Sequence, residues 1–94
     1  MVNPELEEIN LDEVNTERRG PCIVILYNCD CHSFDEVMLQ LQKATGCSSE
    51  RAMEIAMEAH ISGRAIAWTG DSAECERVAA VLKSIRLQVE TDSY

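Results

Sequence analysis

The sequence is short of positive charge: eight Lys and Arg stand against 17 Asp and Glu, a net of −9 at pH 7. Nucleic-acid binders gain most of their non-specific affinity from Lys and Arg displacing counterions on phosphates, so no nucleic-acid partner is expected. An anionic membrane surface is disfavoured for the same reason, and a cationic ligand or basic protein surface suits the balance better. Long apolar runs are missing too. The longest, Cys22-Ile23-Val24-Ile25-Leu26-Tyr27, is far below the roughly 20 residues of a bilayer-spanning helix. No basic-then-apolar leader opens the sequence, so the expected location is cytoplasmic, or the plastid stroma if a transit peptide has been removed. Glycine-rich nucleotide loops are absent. Ninety-four residues leave room for one core.

Cysteine, by contrast, is plentiful. Cys22, Cys29, Cys31, Cys47 and Cys75 make an odd number with no secretory leader before them, which reads as free thiols in a reducing compartment. Acidic residues are also unevenly spread. Glu5, Glu7, Glu8, Asp12, Glu13 and Glu17 all precede the first base, Arg18. Among them, Leu6, Ile9, Leu11 and Val14 are too sparse to offset the entropy of ordering. Residues 1–18 are therefore expected to be a mobile acidic extension, and residues 19–94 the folded domain.

From Pro21 onward local signals mark the elements. Cys22–Tyr27 is β-branched and continuously apolar, a buried strand. Ser33-Phe34-Asp35-Glu36 is a capping box, followed by Phe34, Val37, Met38 and Leu41 at helical spacing and by Gly46 as a left-handed stop. A second helix starts near Ser48, carries Ala52, Ile55, Ala56 and Ala59 on one stripe, and closes at Gly63. Ala65–Thr69 reads as a strand. Asp71 and Glu74 open a third helix with Val78, Val81, Leu82 and Ile85 as its buried stripe. Leu87-Gln88-Val89 alternates as a last short strand. The order is β-α-α-β-α-β, an α+β domain with helices covering one face of a small sheet.

Two places carry chemistry. The loop Asn28-Cys29-Asp30-Cys31-His32-Ser33 enters the first helix, and His60 ends the second. Each alone reads structurally: Asn and Asp make their own turns, and a histidine in a last helical turn complements the dipole. Antiparallel helices joined by a short link, however, place the start of one beside the end of the other. Asn28, Asp30 and His60 then bring an amide oxygen, a carboxylate and an imidazole nitrogen to one place, three acceptors suited to a three-donor ammonium. An α-amino group, with a pKa of about 7.7–8.0, is largely such an ammonium at pH 7.

Rival readings use the same residues. Cys29-x-Cys31-His32 with His60 offers two thiolates and two imidazoles, a zinc inventory, but one intervening residue is fewer than structural zinc sites use. No metal or cofactor is expected. Cys29 or Cys31 with His60 as base would make a nucleophilic enzyme. No oxyanion hole or third orienting group is evident, so no catalysis is expected. The remaining alternatives are a thiol redox module and a plain protein-interaction domain.

Asn28-x-Asp30, then Phe34-Asp35-Glu36-Val37, then Arg51-Ala52 through Ala59-His60-x-x-Gly63-Arg64-Ala65, resembles the ClpS family, adaptors that hand N-degron substrates to the Clp ATPase–protease. The resemblance runs from about Pro21 to Glu90. It implies a two-layer fold of three helices on a three-stranded antiparallel sheet, also seen in the C-terminal domain of the ribosomal stalk protein. It further implies that Asn28, Asp30 and His60 hold a substrate's α-amino group. His32, Phe34, Val37, Met38, Ala56, Ala59 and Leu87 would line or abut a pocket for a Leu, Phe, Tyr or Trp at the N-terminus. The implied partners are such N-degron proteins and the N-terminal domain of a Clp AAA+ ATPase, docked through Glu74, Glu76 and Arg77. Three departures stand out. Cys29 replaces the middle acid of an Asn-Asp-Asp loop, Ala56 stands where larger residues such as methionine are familiar, and the Glu-x-x-Glu-x-Lys docking pattern is blurred into Glu74-Cys75-Glu76-Arg77-Val78.

Overall fold

Alternation along the first apolar run decides the layering. Cys22, Val24 and Leu26 are buried while Ile23, Ile25 and Tyr27 are only half-buried, so among the described residues the sheet carries helices on one face and nothing on the other. The computed structural model describes residues 21–93; the expected acidic extension lies outside the described residues. The elements are β1 (Cys22–Tyr27), α1 (Phe34–Thr45), α2 (Ser49–Ser62), β2 (Arg64–Gly70), α3 (Ser72–Lys83) and β3 (Val89–Ser93). No described helix is long and apolar enough to cross a membrane.

β1 is the central strand of an antiparallel sheet ordered β2-β1-β3. Leu26 stands opposite Ala65 on one side and Val89 on the other, which fixes one core-facing row across the sheet. A register shift between Val24 and Ile25 bends β2 there, as a bulge does. α2 and α3 pack on the sheet, and α1 lies mainly against those two helices. Val24, Leu26, Leu41, Ile55, Val78 and Leu82 are essentially inaccessible to solvent and form the centre of the core.

Each helix starts where its cap residue stands. Ser33, Ser48 and Asp71 accept hydrogen bonds from the backbone N–H groups of Glu36, Arg51 and Glu74, each cap being worth about 0.5–2 kcal/mol. Glu36 and Glu74 complete the boxes by accepting from the N–H groups of Ser33 and Asp71. Gly46 and Gly63 end α1 and α2 in the left-handed region, with φ of 74° and 92°. Two side chains then lock the helices together. Gln40 is buried and donates to the Val81 carbonyl at 2.8 Å, and Arg77 donates to the Ala44 carbonyl at 3.1 Å.

Two expectations need correction. The last strand is not Leu87–Val89 but Val89–Ser93. Arg86 takes a positive φ of 69° and turns the chain, Leu87 drops into the interior, and pairing with β1 then carries Glu90, Thr91, Asp92 and Ser93 along the edge. In α3 the buried stripe is Cys75, Val78, Ala79 and Leu82; Val81 and Ile85 are only half-buried against the core. The helix is rotated so that its N-terminal half faces Cys22 and the sheet.

That rotation has a consequence in alkali. Burial, with Cys22 close by, pushes the Cys75 thiol from 9.0 up to about 12. In the unfolded chain the thiol ionises near pH 9; in the folded chain it stays protonated well above that. The contribution to stability is complete below pH 9 and is lost as pH rises toward 12. Urea-unfolding midpoints measured from about pH 8 to about pH 11 should fall, and Cys75→Ala should remove part of that slope.

Candidate functional site

The loop after β1 is held at both ends by backbone and at its tip by sulfur. Asn28 N–H donates to the Gly63 carbonyl at 2.9 Å, and Tyr27 N–H donates to the Gln88 carbonyl at 2.9 Å. The first bond ties the loop to the end of α2, and the second ties it to the approach to β3. At the far end the Ser33–Glu36 box anchors the loop to α1. Between them His32 Nε2–H donates to the Ile85 carbonyl beyond α3, and its Nδ1 lies 3.2 Å from Cys31 Sγ. A carbonyl only accepts, so Nε2 is a donor in this contact.

The free-thiol expectation holds for Cys22, Cys47 and Cys75 and fails at Cys29 and Cys31, which are joined as a disulfide. The turn at Asp30 and Cys31 brings their Cα atoms to 5.4 Å, within the span a disulfide bridges. Cys31 N–H also donates to Cys29 Sγ at 3.3 Å. Cys29, Cys31 and His32 do group their ligand atoms within 4.8 Å, but His60 is not in that group. Joined sulfurs leave no thiolate for a metal ion, so in this state the loop is not a metal centre.

Beside this loop lies a cavity of about 280 Å³, at or below the small end of ligand pockets, which run from about 300 Å³ upward. It has room for a single amino-acid side chain. Its wall contains the loop residues Asn28, Cys29, Asp30 and His32, the helix residues Phe34, Val37, Ala56, Ala59 and His60, and Leu26, Tyr27 and Leu87 from the sheet side. Nine of the ten residues singled out from sequence for amine and side-chain binding therefore border one space. The tenth, Met38, does not: it packs against the core, a further step round α1 from Val37.

The cavity is graded from wet to dry. Ala56, Ala59, Leu26 and Leu87 are buried and form an apolar floor. Asn28, Asp30 and His60 are exposed at the rim, and Phe34, 36% exposed at the first turn of α1, stands at the mouth. Among the described residues no Lys or Arg lines the space, and Asp30 brings its one carboxylate. Chemically this is a recess that accepts a compact apolar group inside and a hydrogen-bond-donating cation at its edge. Leu26, Tyr27 and Cys29 are wall residues that the sequence did not single out for this cavity. Their only signal is position, at the end of β1 and in the loop that follows it. Tyr27 is held in place by donating to Glu90 Oε1 at 2.8 Å, a bond that raises its phenol above the ordinary value.

The three residues expected to dock an ATPase lie on α3, away from the cavity. Glu74 serves as the cap partner of Asp71, and Arg77 is spent on the Ala44 carbonyl. Glu76 is exposed.

Comparison with known proteins adds three findings. The family described as "ATP-dependent Clp protease adaptor protein ClpS" matches residues 17–90. Among solved structures the chain is similar to Agrobacterium tumefaciens ClpS2 bound to L-phenylalaninamide, with a TM-score of 0.75 and 20% sequence identity over 82% of this chain and 100% of that one, a likeness of fold. No curated protein sequence matches the chain.

Because Gly63 both ends α2 and receives the Asn28 amide, its backbone conformation underlies the site. A Cβ there would meet nothing within 4 Å, so only the left-handed φ opposes one. Gly63→Ala should cost about 1–2 kcal/mol, read as a lower urea midpoint, while Gly63→Asn should cost less because asparagine tolerates that region.

Proposed function

The chain belongs to the ClpS family of ATP-dependent Clp protease adaptors, and we propose that it is a non-enzymatic adaptor that binds proteins by a free, bulky hydrophobic N-terminal residue and delivers them to a Clp AAA+ ATPase. What carries this reading is one cavity of about 280 Å³ with an apolar floor and three acceptor side chains on its rim, and no Lys or Arg in its wall among the described residues.

In this reading the substrate's first side chain enters over Ala56, Ala59, Val37 and Leu87, and its α-ammonium is held by Asn28, Asp30 and His60. Burying a Leu or Phe side chain contributes about 1.5–3 kcal/mol, and each hydrogen bond to a charged group about 1.5–3 kcal/mol. Against an association cost of several kcal/mol, neither feature suffices alone. The adaptor therefore requires both a bulky residue and a free amine, and a protein whose N-terminus is acetylated is rejected. Phe34 at the mouth contacts the entering residue. Delivery uses α3, where exposed Glu76 beside Glu74 and Arg77 meets the N-terminal domain of the ATPase.

The test is a peptide set differing only in the first residue, each made free and acetylated. Free Leu, Phe, Tyr or Trp termini should bind at least tenfold more tightly than free Ala or any acetylated partner; equal binding of free and acetylated peptides would sink the reading. Asp30→Ala and His60→Ala should each weaken binding by roughly tenfold or more while leaving the unfolding midpoint unchanged, because both side chains are exposed. Ala56→Met should fill the floor and weaken Trp and Phe before Leu.

A further inference from the structure

Sulfur occupies an unusual place in this site. Cys29 lines the cavity, and it is joined to exposed Cys31 across the single residue Asp30. The resulting ring includes the backbone of Asp30, whose side chain is the one carboxylate of the cavity wall among the described residues. The anchors of the loop all act elsewhere: on Asn28 through Gly63, on His32 through Ile85, and on Ser33 through Glu36. Within the described residues, the restraint on the backbone of Asp30 is the disulfide together with the Cys31 N–H to Cys29 Sγ contact that goes with it.

The remaining thiols are placed differently. Cys22 and Cys75 are buried and Cys47 is half-buried, and none of the three lines this cavity. Where thiols are kept reduced by glutathione, the disulfides that do form are mostly transient, catalytic or redox-sensing, and exposed ones are the labile class. His32 favours exchange at Cys31. Its Nε2–H is committed to the Ile85 carbonyl, so in the neutral ring Nδ1, 3.2 Å from Cys31 Sγ, is the nitrogen left to accept a proton from the thiol of the reduced form.

Resting on the function proposed above, we infer that Cys29 and Cys31 are a reversible oxidation site, a dithiol–disulfide couple driven by a low-molecular-weight disulfide, whose closure rigidifies Asp30 and tightens the grip on a protein's N-terminal ammonium. The step balances by thiol–disulfide exchange. The Cys31 thiol gives its proton to His32 Nδ1, and the thiolate attacks one sulfur of the small disulfide. A mixed disulfide forms and one small thiolate leaves. The Cys29 thiolate then attacks Cys31 Sγ, closing the ring and expelling the second small thiolate. The protein dithiol is oxidised by two electrons, the small disulfide is reduced to two thiols, and the two cysteine protons end on those thiols. In the closed ring the backbone of Asp30 is ordered before the ligand arrives, so binding no longer bears that entropy.

The test uses the full chain equilibrated in buffers of rising oxidised-to-reduced glutathione ratio. Mass spectrometry after alkylation reads the thiols, and titration with a Phe-initiated peptide and its acetylated twin reads affinity. Oxidation should remove the mass of two hydrogen atoms, protect Cys29 and Cys31 from alkylation, and reverse in reduced glutathione. Affinity for the free peptide should rise about tenfold with the same midpoint, the scale expected for one pre-ordered residue, and Cys31→Ser should hold the lower affinity at every ratio. An affinity that stays flat while the pair oxidises overturns the coupling, and a pair that never oxidises overturns the site. Loss of binding in both states sinks the proposed function and the coupling with it, and the mass readout then decides the oxidation site by itself.

Discussion

The hydrogen bond from the Asn28 amide to the Gly63 carbonyl joins the exit of β1 to the stop of α2, and most of the site depends on it. Gly63 can present that carbonyl because its left-handed conformation ends the helix and turns the chain into β2. His60 lies one turn earlier on the same helix, and Asn28 and Asp30 follow directly on the other side of the bond. A single backbone contact between rigid elements thus sets the spacing of three side chains that come from two distant parts of the sequence. The loop itself has little regular structure, and its order comes from these external anchors and, at Asp30, from the Cys29–Cys31 disulfide.

The cavity is an omission in the packing. Ala56 and Ala59 belong to a buried stripe of α2 in which Ile55 is the one large side chain, beside Ala52. At the base of the stripe Ile55 closes the core, while at its top two alanines leave a recess between α2, α1 and the turn at Leu87. A larger residue at either alanine would add apolar contact and stabilise the domain, so the recess is kept at some loss of stability, a common trade at binding sites. The polar rim is cheap by comparison, since Asn28, Asp30 and His60 remain in water.

Much of this arrangement was legible in local signals. Ser33 with Glu36, Ser48, Asp71 with Glu74, and the two helix-ending glycines each declare a boundary through the backbone groups they satisfy or the φ they permit, and all of those boundaries stand. The convergence of the loop and His60 followed from helix adjacency. What was not legible depends on contacts between remote segments. Glu90 to Ser93 lack strand propensity and become a strand because β1 offers them a ladder. Val81 and Ile85 match the helical period as well as Cys75 and Ala79 do, and only the placement of α3 beside Cys22 chooses between them. Met38 shares the face of Val37 on a helical wheel, yet the core draws it away from the recess. The joining of Cys29 and Cys31 depends on loop curvature, about which an odd number of cysteines says nothing.

The strand that sequence propensity failed to foresee also closes one side of the molecule. Among the described residues β3 is an outer strand, and past Val89 its residues Glu90, Thr91, Asp92 and Ser93 are all exposed. Unpaired backbone at a sheet border invites the same border of another molecule to add on, and acidic side chains along it repel such a neighbour. Any extended segment seeking a strand to join finds a poor template in this fringe of carboxylates and hydroxyls.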